Sequence, residues 1–183
     1  MRPLIYAINL TLDGCCDHTK GMADAEMHNY HTELLRESDT LLYGRKTYEL
    51  MVPFWPDMAK QPGDEQTMND FAQAFVAVPE ITVFSTTLKA QDPKVRVFDG
   101  DLRGEIIKLK NQEGKAILTG GVDLPSQLIA LDLVDEFVFV IQPLLVGEGR
   151  RLPPAATDTQ KLELVDTWTF KSGMVALRYR RRR

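Results

Sequence analysis

The residues best suited to chemistry are a glycine, two cations and a hydroxyl that follow one another in the segment 42–49. An apolar run typical of a buried strand ends at Gly44, and the pattern after it predicts a short helix. The first residues of that helix are Arg45, Lys46 and Thr47. Free N–H groups at the start of a helix favour the binding of anions. Arg can bind a phosphate through two parallel hydrogen bonds, and Lys contributes a further positive charge. The segment therefore predicts a phosphate site, unless it is only a solvated first turn.

Two further segments have polar or glycine residues directly after a predicted strand. Gly120 and Gly121 separate a strand from a helix in the segment 115–124. Paired glycines let the backbone approach a diphosphate closely, although this pair matches neither GxGxxG nor a P-loop and is also compatible with a simple tight turn. Three hydroxyls in the segment 83–88, starting with Ser85 and Thr86, suit a ribose or a phosphate, or only cap the next turn.

Alternating strands and helices must position these segments. Strands are predicted at 3–10, 40–43, 81–85, 95–98, 115–119 and 137–142, and helices at 24–37, 45–52, 64–78, 101–111 and 124–131. A closing hairpin is predicted at 162–170 and 174–180. The alternation favours an α/β fold with a mostly parallel sheet covered on both faces, which the antiparallel end makes mixed.

Two stretches are predicted to lack regular structure. The segment 11–23 contains Asp13-Gly14 and no periodicity, which indicates a long loop. Pro53 predicts that the second helix ends at residue 52, and the proline-rich segment 53–63 is expected to be irregular. Both stretches are candidates for the walls of a substrate pocket.

The composition indicates one soluble domain in a chain of 183 residues, with 44% hydrophobic and 26% charged residues. No apolar run is long enough to cross a membrane and the first residues do not form a signal peptide, so we expect a cytoplasmic protein. The net charge is −4, and five arginines fall within the last six residues. We expect a domain at 1–180 with a basic tail at 181–183. No basic face with interleaved aromatics accompanies that tail, which argues against nucleic acid as a partner, and association with nucleic acid through the arginines is kept as an alternative.

The cysteines and histidines predict no metal site. Cys15 and Cys16 are adjacent, which disfavours a disulfide between them and indicates free thiols in a reducing compartment. His28 and His31 lie three residues apart on one helical face and with a cysteine offer a metal site. No CxxC or HExxH pattern supports that alternative.

The motifs in their order resemble the dihydrofolate-reductase-like superfamily, in particular the reductase half of the bifunctional riboflavin-biosynthesis deaminase–reductase and its stand-alone relatives. The resemblance runs from about residue 3 to residue 180. It is carried by LDG at 12–14, GRKTYE at 44–49, FSTTL at 84–88, LTGGVDL at 118–124, LVDE at 133–136 and PLLVGEG at 143–149.

The resemblance implies a single-domain fold with a central mixed, mostly parallel sheet of about eight strands flanked by helices. It also implies a homodimer and NADPH as the hydride donor. The expected function is that of a reductase that transfers hydride to a small heterocyclic or carbonyl substrate, as the riboflavin-pathway pyrimidine reductase does. A binding or scaffold protein that keeps the nucleotide pocket without efficient turnover is the alternative.

The resemblance also assigns a part of NADPH to each cofactor-binding segment. Ala7 and Ile8 would border the nicotinamide, which the loop of Asp13 and Gly14 would close over. The remaining expected contacts are Gly44, Arg45, Lys46 and Thr47 at the phosphates, Ser85 and Thr86 at the 2′-phosphate of the adenosine, and Gly120, Gly121 and Val122 around the diphosphate.

The catalytic residues are less defined. Dihydrofolate reductases carry a carboxylate on the first helix, at a set distance before the glycine of GRxT, and counting back from Gly44 places His28 at that position. His28, Glu26, Asp13 and Tyr30 are the candidate polar groups of the substrate pocket, although His28 also fits an ordinary helix surface. Trp55 is a candidate wall of that pocket.

The chain departs from the family pattern at two positions. Thr86 stands where relatives often carry Arg, and Pro153 stands where Phe commonly follows the glycine motif.

The late strands indicate how the chain associates. The strand 137–142 and the hairpin after it are expected to form a sheet edge that a homodimer covers.

Overall fold

Strands alternate with helices along most of the chain in the computed structural model, which describes residues 1–89, 92–152 and 159–182. Pro153 and Arg183, which entered the sequence interpretation, lie outside these ranges. The strands are β1 Leu4–Thr11, β2 Ser38–Gly44, β3 Glu80–Phe84, β4 Val95–Phe98, β5 Ala116–Thr119, β6 Glu136–Gln142, β7 Leu162–Thr169 and β8 Val175–Arg181. The helices are α1 Ala25–Arg36, α2 Arg45–Lys60, α3 Gln66–Ala77, α4 Leu102–Asn111 and α5 Asp123–Ala130.

The eight strands form one sheet in the order β4-β3-β2-β5-β1-β6-β8-β7. Strands β1 to β6 pair in parallel, whereas β8 runs antiparallel to both β6 and β7. The predicted α/β fold with a mixed, mostly parallel sheet of about eight strands is therefore confirmed.

The helices divide between the two faces of the sheet. Apolar side chains of α1, α2 and α3 pack on one face, where Leu34, Phe71 and Phe75 meet Leu41 and other strand residues. Side chains of α4 and α5 pack on the opposite face. This two-sided burial explains why the central strands are apolar along their length.

The prediction that α2 ends before Pro53 is wrong. It continues through Pro53 and Pro56 to Lys60, so most of the segment expected to be irregular is helical. An internal proline costs a helix about 3 kcal/mol because it removes a hydrogen bond and clashes with the preceding turn. The apolar stripe that includes Met51 and Trp55 packs against the core on both sides of the first proline, and that burial offsets the cost. No described helix is both long and apolar enough to span a membrane.

The sheet edge also differs from the prediction. Strand β6 is interior, because β1 pairs with one side of it and β8 with the other, and only β7 forms this edge. Strand β8 extends to Arg181, whose guanidinium bonds the carboxylate of Asp132. Arg178 and Arg180 both pair with Glu136. These arginines thus belong to the last strand and its ion pairs.

Candidate active site

A crevice opens where β1 and β5 lie side by side. The helix that follows β1 packs on one face of the sheet and the helix that follows β5 packs on the other. Strand β5 ends at Thr119, opposite Tyr6, whereas β1 continues to Thr11. Residues 7–10 are consequently only partly buried although β1 lies in the middle of the sheet. A reversal of this kind at the carboxyl ends of parallel strands is where α/β proteins bind ligands.

A cleft of about 420 Å³ runs along the strand ends and brings the three predicted segments together. It is lined by Gly44, Arg45, Lys46, Thr47, Phe84, Ser85, Thr86, Phe98, Asp99, Gly100, Leu102, Val122, Asp123, Leu124, Gln127 and Arg150. The predicted segments contribute the carboxyl ends of β2 and β3 and the turn after β5. Segments far apart in sequence therefore share one surface, as the sequence interpretation requires.

The turn after β5 has a backbone that only glycine suits. Gly121 has a φ of +86°, and a Cβ atom added there would collide with the Thr47 hydroxyl. The Tyr6 hydroxyl donates a 2.9 Å hydrogen bond to the Gly121 carbonyl, and this bond holds the turn against β1. A Cβ at Gly120 would lie 3.5 Å from the Ala7 carbonyl oxygen. The turn directly precedes α5, and peptide N–H groups at a helix start suit a diphosphate, so this turn fits the group that the resemblance implies.

The charged side chains of the cleft are mostly paired with one another. Arg45 bonds Glu49, one helical turn along α2, at 2.9 and 3.0 Å. The Arg150 guanidinium bonds the carboxylate of Asp123, the first residue of α5. Lys46 has no ion pair within the described part of the chain. The cleft thus offers three cations to an anionic ligand, two of which must exchange a carboxylate for it.

The far end of the cleft is aromatic. The rings of Phe84 and Phe98, at the ends of β3 and β4, stack with centroids 5.8 Å apart, and the Arg96 guanidinium lies over Phe98. The Ser85 hydroxyl accepts hydrogen bonds from the N–H groups of Thr87 and Leu88. Ser85 therefore caps the turn after β3, which is one of the two roles expected from the sequence, and its side chain also lines the cleft.

The three predicted catalytic side chains occupy three separate environments, and none of them lines the cleft. The His28 ring packs between Trp55 and Phe71, with centroid distances of 6.5 and 6.4 Å. Its Nδ1 is buried without a hydrogen bond, 3.5 Å from a carboxylate oxygen of Glu65. The Glu26 carboxylate accepts a 2.6 Å hydrogen bond from the Lys171 N–H in the β7–β8 turn.

Asp13 ties two loops together. Its carboxylate accepts hydrogen bonds from the Thr11 hydroxyl at 2.5 Å and from the Gly147 N–H at 2.9 Å, and it pairs with Arg151. The Thr11 hydroxyl, followed by the Gly147 N–H, lowers the pKa of Asp13 to about 2. A carboxyl group with this pKa is ionised at neutral pH and accepts hydrogen bonds without donating a proton.

Tyr30 and Trp55, the other two candidates for the pocket, both lie in aromatic contacts. Tyr30 contacts the rings of His31 and Phe170, and burial raises its pKa. Trp55 packs on Phe71 with centroids 4.3 Å apart. These contacts show packing roles for both rings on the α1 and α2 side of the sheet.

The sequence interpretation missed two residues beside the crevice. Asn9 interrupts the apolar run of β1, and its Oδ1 accepts a 2.9 Å hydrogen bond from His31 Nε2. Burial, and after it the proximity of His28, lowers the pKa of His31 to about 4, so the ring is neutral. Arg150 is the second, and its signal was the cation directly after the glycine motif at 147–149. Within residues 1–89, 92–152 and 159–182, no group of three or more His, Cys, Asp or Glu residues is arranged to hold a metal ion.

Comparisons with known proteins agree with this architecture. The family model described as the RibD C-terminal domain matches residues 2–176. The Bacillus subtilis (strain 168) protein YyaP, itself uncharacterised, is 33% identical over 182 residues, which cover 97% of this chain and 94% of YyaP.

Two solved structures are similar in fold at low sequence identity. A candidate riboflavin biosynthesis protein from Shewanella sp. PV-4 has a TM-score of 0.72 at 20% identity, with 99% of each chain covered. The Thermotoga maritima diaminohydroxyphosphoribosylaminopyrimidine deaminase/5-amino-6-(5-phosphoribosylamino)uracil reductase has a TM-score of 0.65 at 18% identity. That match covers 99% of this chain and 57% of the Thermotoga chain.

Proposed function

Because the protein belongs to the RibD C-terminal domain family, we propose that it is an NADPH-dependent reductase that transfers hydride to a small heterocyclic or carbonyl substrate. The observation that carries this proposal is the cleft at the strand ends, where Val122 of the turn after β5 and the cationic start of α2 line one surface. When bound, NADPH supplies the hydride from its reduced nicotinamide.

The strand order gives the cofactor a direction along the cleft. The paired rings of Phe84 and Phe98 and the hydroxyls of Ser85 and Thr86 lie at the ends of β3 and β4, and they suit the adenosine half. The turn at 120–122 lies two strands further along and suits the diphosphate. Ala7 and Ile8 of β1 come next, at the crevice, and suit the nicotinamide. Each group of residues thus binds or orients one part of the same dinucleotide.

The space for the substrate lies beside β1 on the side of α1 and α2. Asn9 and the neutral His31 offer hydrogen-bonding groups there, and His28 offers an imidazole whose Nδ1 lacks a hydrogen bond. An imidazole can both accept and donate a proton, which suits the relay of a proton to the reduced substrate. A dihydrofolate reductase would carry a carboxylate in place of His28, which supports a different heterocycle as the substrate.

The experiment that tests this function has two stages. First, calorimetry measures NADPH binding to the purified protein, and we expect saturable binding. Second, NADPH deuterated at C4 is mixed with 5-amino-6-(5-phosphoribosylamino)uracil or with dihydrofolate, and mass spectrometry follows the label. We expect the label in the reduced product of the aminouracil, and a catalytic efficiency on dihydrofolate below about 10⁴ M⁻¹s⁻¹.

Each failure has a distinct meaning. If NADPH does not bind, the protein is not an NADPH-dependent reductase. If NADPH binds but no label moves to a panel of cyclic imines, enones and aminouracils, the protein is a nucleotide-binding relative without turnover. Efficient reduction of dihydrofolate would refute the argument from His28.

A further inference from the structure

Arg150 reaches the cleft from a segment that belongs to no helix or strand. Its side chain is 45% exposed and lines the cleft together with Val122 and Asp123. The guanidinium bonds the Asp123 carboxylate, which is itself 61% exposed. Asp123 directly follows the glycine turn after β5, so the ion pair lies beside the turn that suits a diphosphate.

The backbone of Arg150 is held while its side chain stays exposed. The Cys16 N–H donates a 2.7 Å hydrogen bond to the Arg150 carbonyl, and Cys15 forms a β-bridge with Arg151. The Arg151 guanidinium bonds the backbone carbonyl and the carboxylate of Asp13, away from the cleft. Two consecutive arginines therefore have different partners, and only the first has an exchangeable partner in the cleft.

We propose that Arg150 binds the diphosphate of the dinucleotide and that Asp123 competes with the diphosphate for the same guanidinium. This inference rests on the proposed function, which it deepens. An arginine forms two parallel charge-assisted hydrogen bonds with a phosphate as readily as with a carboxylate. An exposed ion pair contributes little to stability, so its exchange for a phosphate is easy. The Asp123 carboxylate also repels a phosphate at the turn, so it lowers affinity in two ways.

The position of Arg150 along the sheet distinguishes the diphosphate from the 2′-phosphate. Arg150 bonds Asp123, which begins α5 just after β5, and β5 pairs directly with β1. The hydroxyls of Ser85 and Thr86 follow β3, three strands from β1 and thus roughly 14 Å away across the sheet. Arg150 therefore contacts a group that NADH and NADPH share.

The test compares four variants by calorimetry with NADPH, NADH and inorganic pyrophosphate. We expect Arg150→Gln to weaken both dinucleotides about 10-fold and by equal factors, and to weaken pyrophosphate as well. Asp123→Asn is expected to tighten all three ligands about 3- to 10-fold. Arg151→Gln is the matched control and should leave affinities unchanged, whereas Arg45→Ala should weaken NADPH alone. Thermal unfolding of each variant confirms that it is folded.

The outcomes separate this inference from the proposed function. Unchanged binding in Arg150→Gln, a loss confined to NADPH, or weaker binding in Asp123→Asn would overturn the role of Arg150 while leaving the reductase intact. An equal loss in Arg151→Gln would overturn it too, because loop structure would then explain the effect. If the wild type binds pyrophosphate through Arg150 but binds neither dinucleotide, the anion site stands and the reductase function fails.

Discussion

The proposed preference for NADPH over NADH depends on Arg45. It lies at the start of α2 with its guanidinium on Glu49, and its side chain is 44% exposed. The 2′-phosphate carries close to two negative charges, and an arginine binds it through two parallel hydrogen bonds. A charge-assisted hydrogen bond contributes about 1.5–3 kcal/mol, so Arg45→Ala should weaken NADPH binding about 10- to 100-fold. NADH binding should hardly change, and calorimetry of both cofactors measures the difference.

Glu49→Gln is the control for that prediction. It frees the guanidinium without removing it, so NADPH binding should stay equal or become tighter. Thr86, at the position where the family pattern often has Arg, lowers the expected preference of the wild type for NADPH without reversing it. Equal losses of NADPH and NADH in Arg45→Ala would assign Arg45 a structural role.

His31 makes the stability of the fold depend on pH. Its pKa is about 4 in the native state and 6.5 as a free side chain. Between these values the unfolded chain binds a proton that the native state does not, so the free energy of unfolding falls as the pH is lowered from 7 to 4. The loss is on the order of 2–3 kcal/mol. Urea unfolding at several pH values measures it.

Substitution isolates the contribution of His31 from those of the carboxylates. His31→Gln keeps a donor for Asn9 but does not titrate, so its stability should fall less with pH than that of the wild type. His18 is exposed, and His18→Gln should therefore retain the wild-type dependence. The same loss of stability in His31→Gln as in the wild type would contradict the prediction.

At the scale of elements, the β5–α5 turn and the start of α2 form one unit. Gly121 has a positive φ and lies against Thr47, so a side chain at this position strains the turn and separates it from α2. Gly121→Ala should destabilise the protein by about 1–3 kcal/mol, which corresponds to a melting temperature lower by roughly 2–10 °C. NADPH binding should weaken as well, because the turn and α2 no longer share one surface.

A second glycine provides the comparison for this element. Gly63 lies between α2 and α3 with no atom near the position of an added Cβ. Gly63→Ala should therefore change the melting temperature by less than about 2 °C. If Gly121→Ala unfolds at the same temperature as Gly63→Ala, the turn is not a rigid support of the cleft.

For the whole molecule, the exposed edge strand β7 predicts a homodimer. Leu164, Val165 and Trp168 are 51%, 44% and 57% exposed on this strand. The pairing of β7 with β8 has a bulge between Leu164 and Asp166, and bulges at sheet edges disfavour the addition of another strand, so we expect the second copy to pack on these side chains. Sedimentation at micromolar concentration should give twice the mass of a single chain.

Substitution of the same strand tests where the dimer forms. Trp168→Lys should shift the sedimentation mass to that of one chain. Leu145 is 78% exposed but lies outside β7, and Leu145→Lys should leave the dimer intact. A wild-type mass equal to that of one chain at micromolar concentration would rule out the predicted dimer.

The sequence determined most of the fold, because local patterns report which residues are buried. Asp24 caps α1 by accepting a 2.7 Å hydrogen bond from the Met27 N–H, as its side chain and position indicate. The run 137–142 forms β6, and the glycines at 120–121 end β5. The segments of the cleft were also recognisable, because glycines, cations and hydroxyls follow three of the strands; each segment alone also fits an ordinary turn, as the capping role of Ser85 shows. The exception was the end of α2. The apolar stripe that includes Met51 and Trp55 indicates a helix that continues past residue 52, whereas Pro53 led to the prediction that the helix ends there.

Only the tertiary structure decided which side chains meet. Arg150 directly follows the glycine motif at 147–149, but it is far from Gly44 along the chain, and only the packing of distant segments brings it to the cleft. The environments of His28, Glu26 and Asp13 likewise depend on Trp55, Lys171 and Gly147. The order of the strands, in which β7 and not β6 forms the edge, also depends on contacts between distant parts of the chain. The physical reason is common to all of these: local periodicity follows from backbone geometry and burial within one element, whereas pairing across the sheet depends on how distant elements pack together.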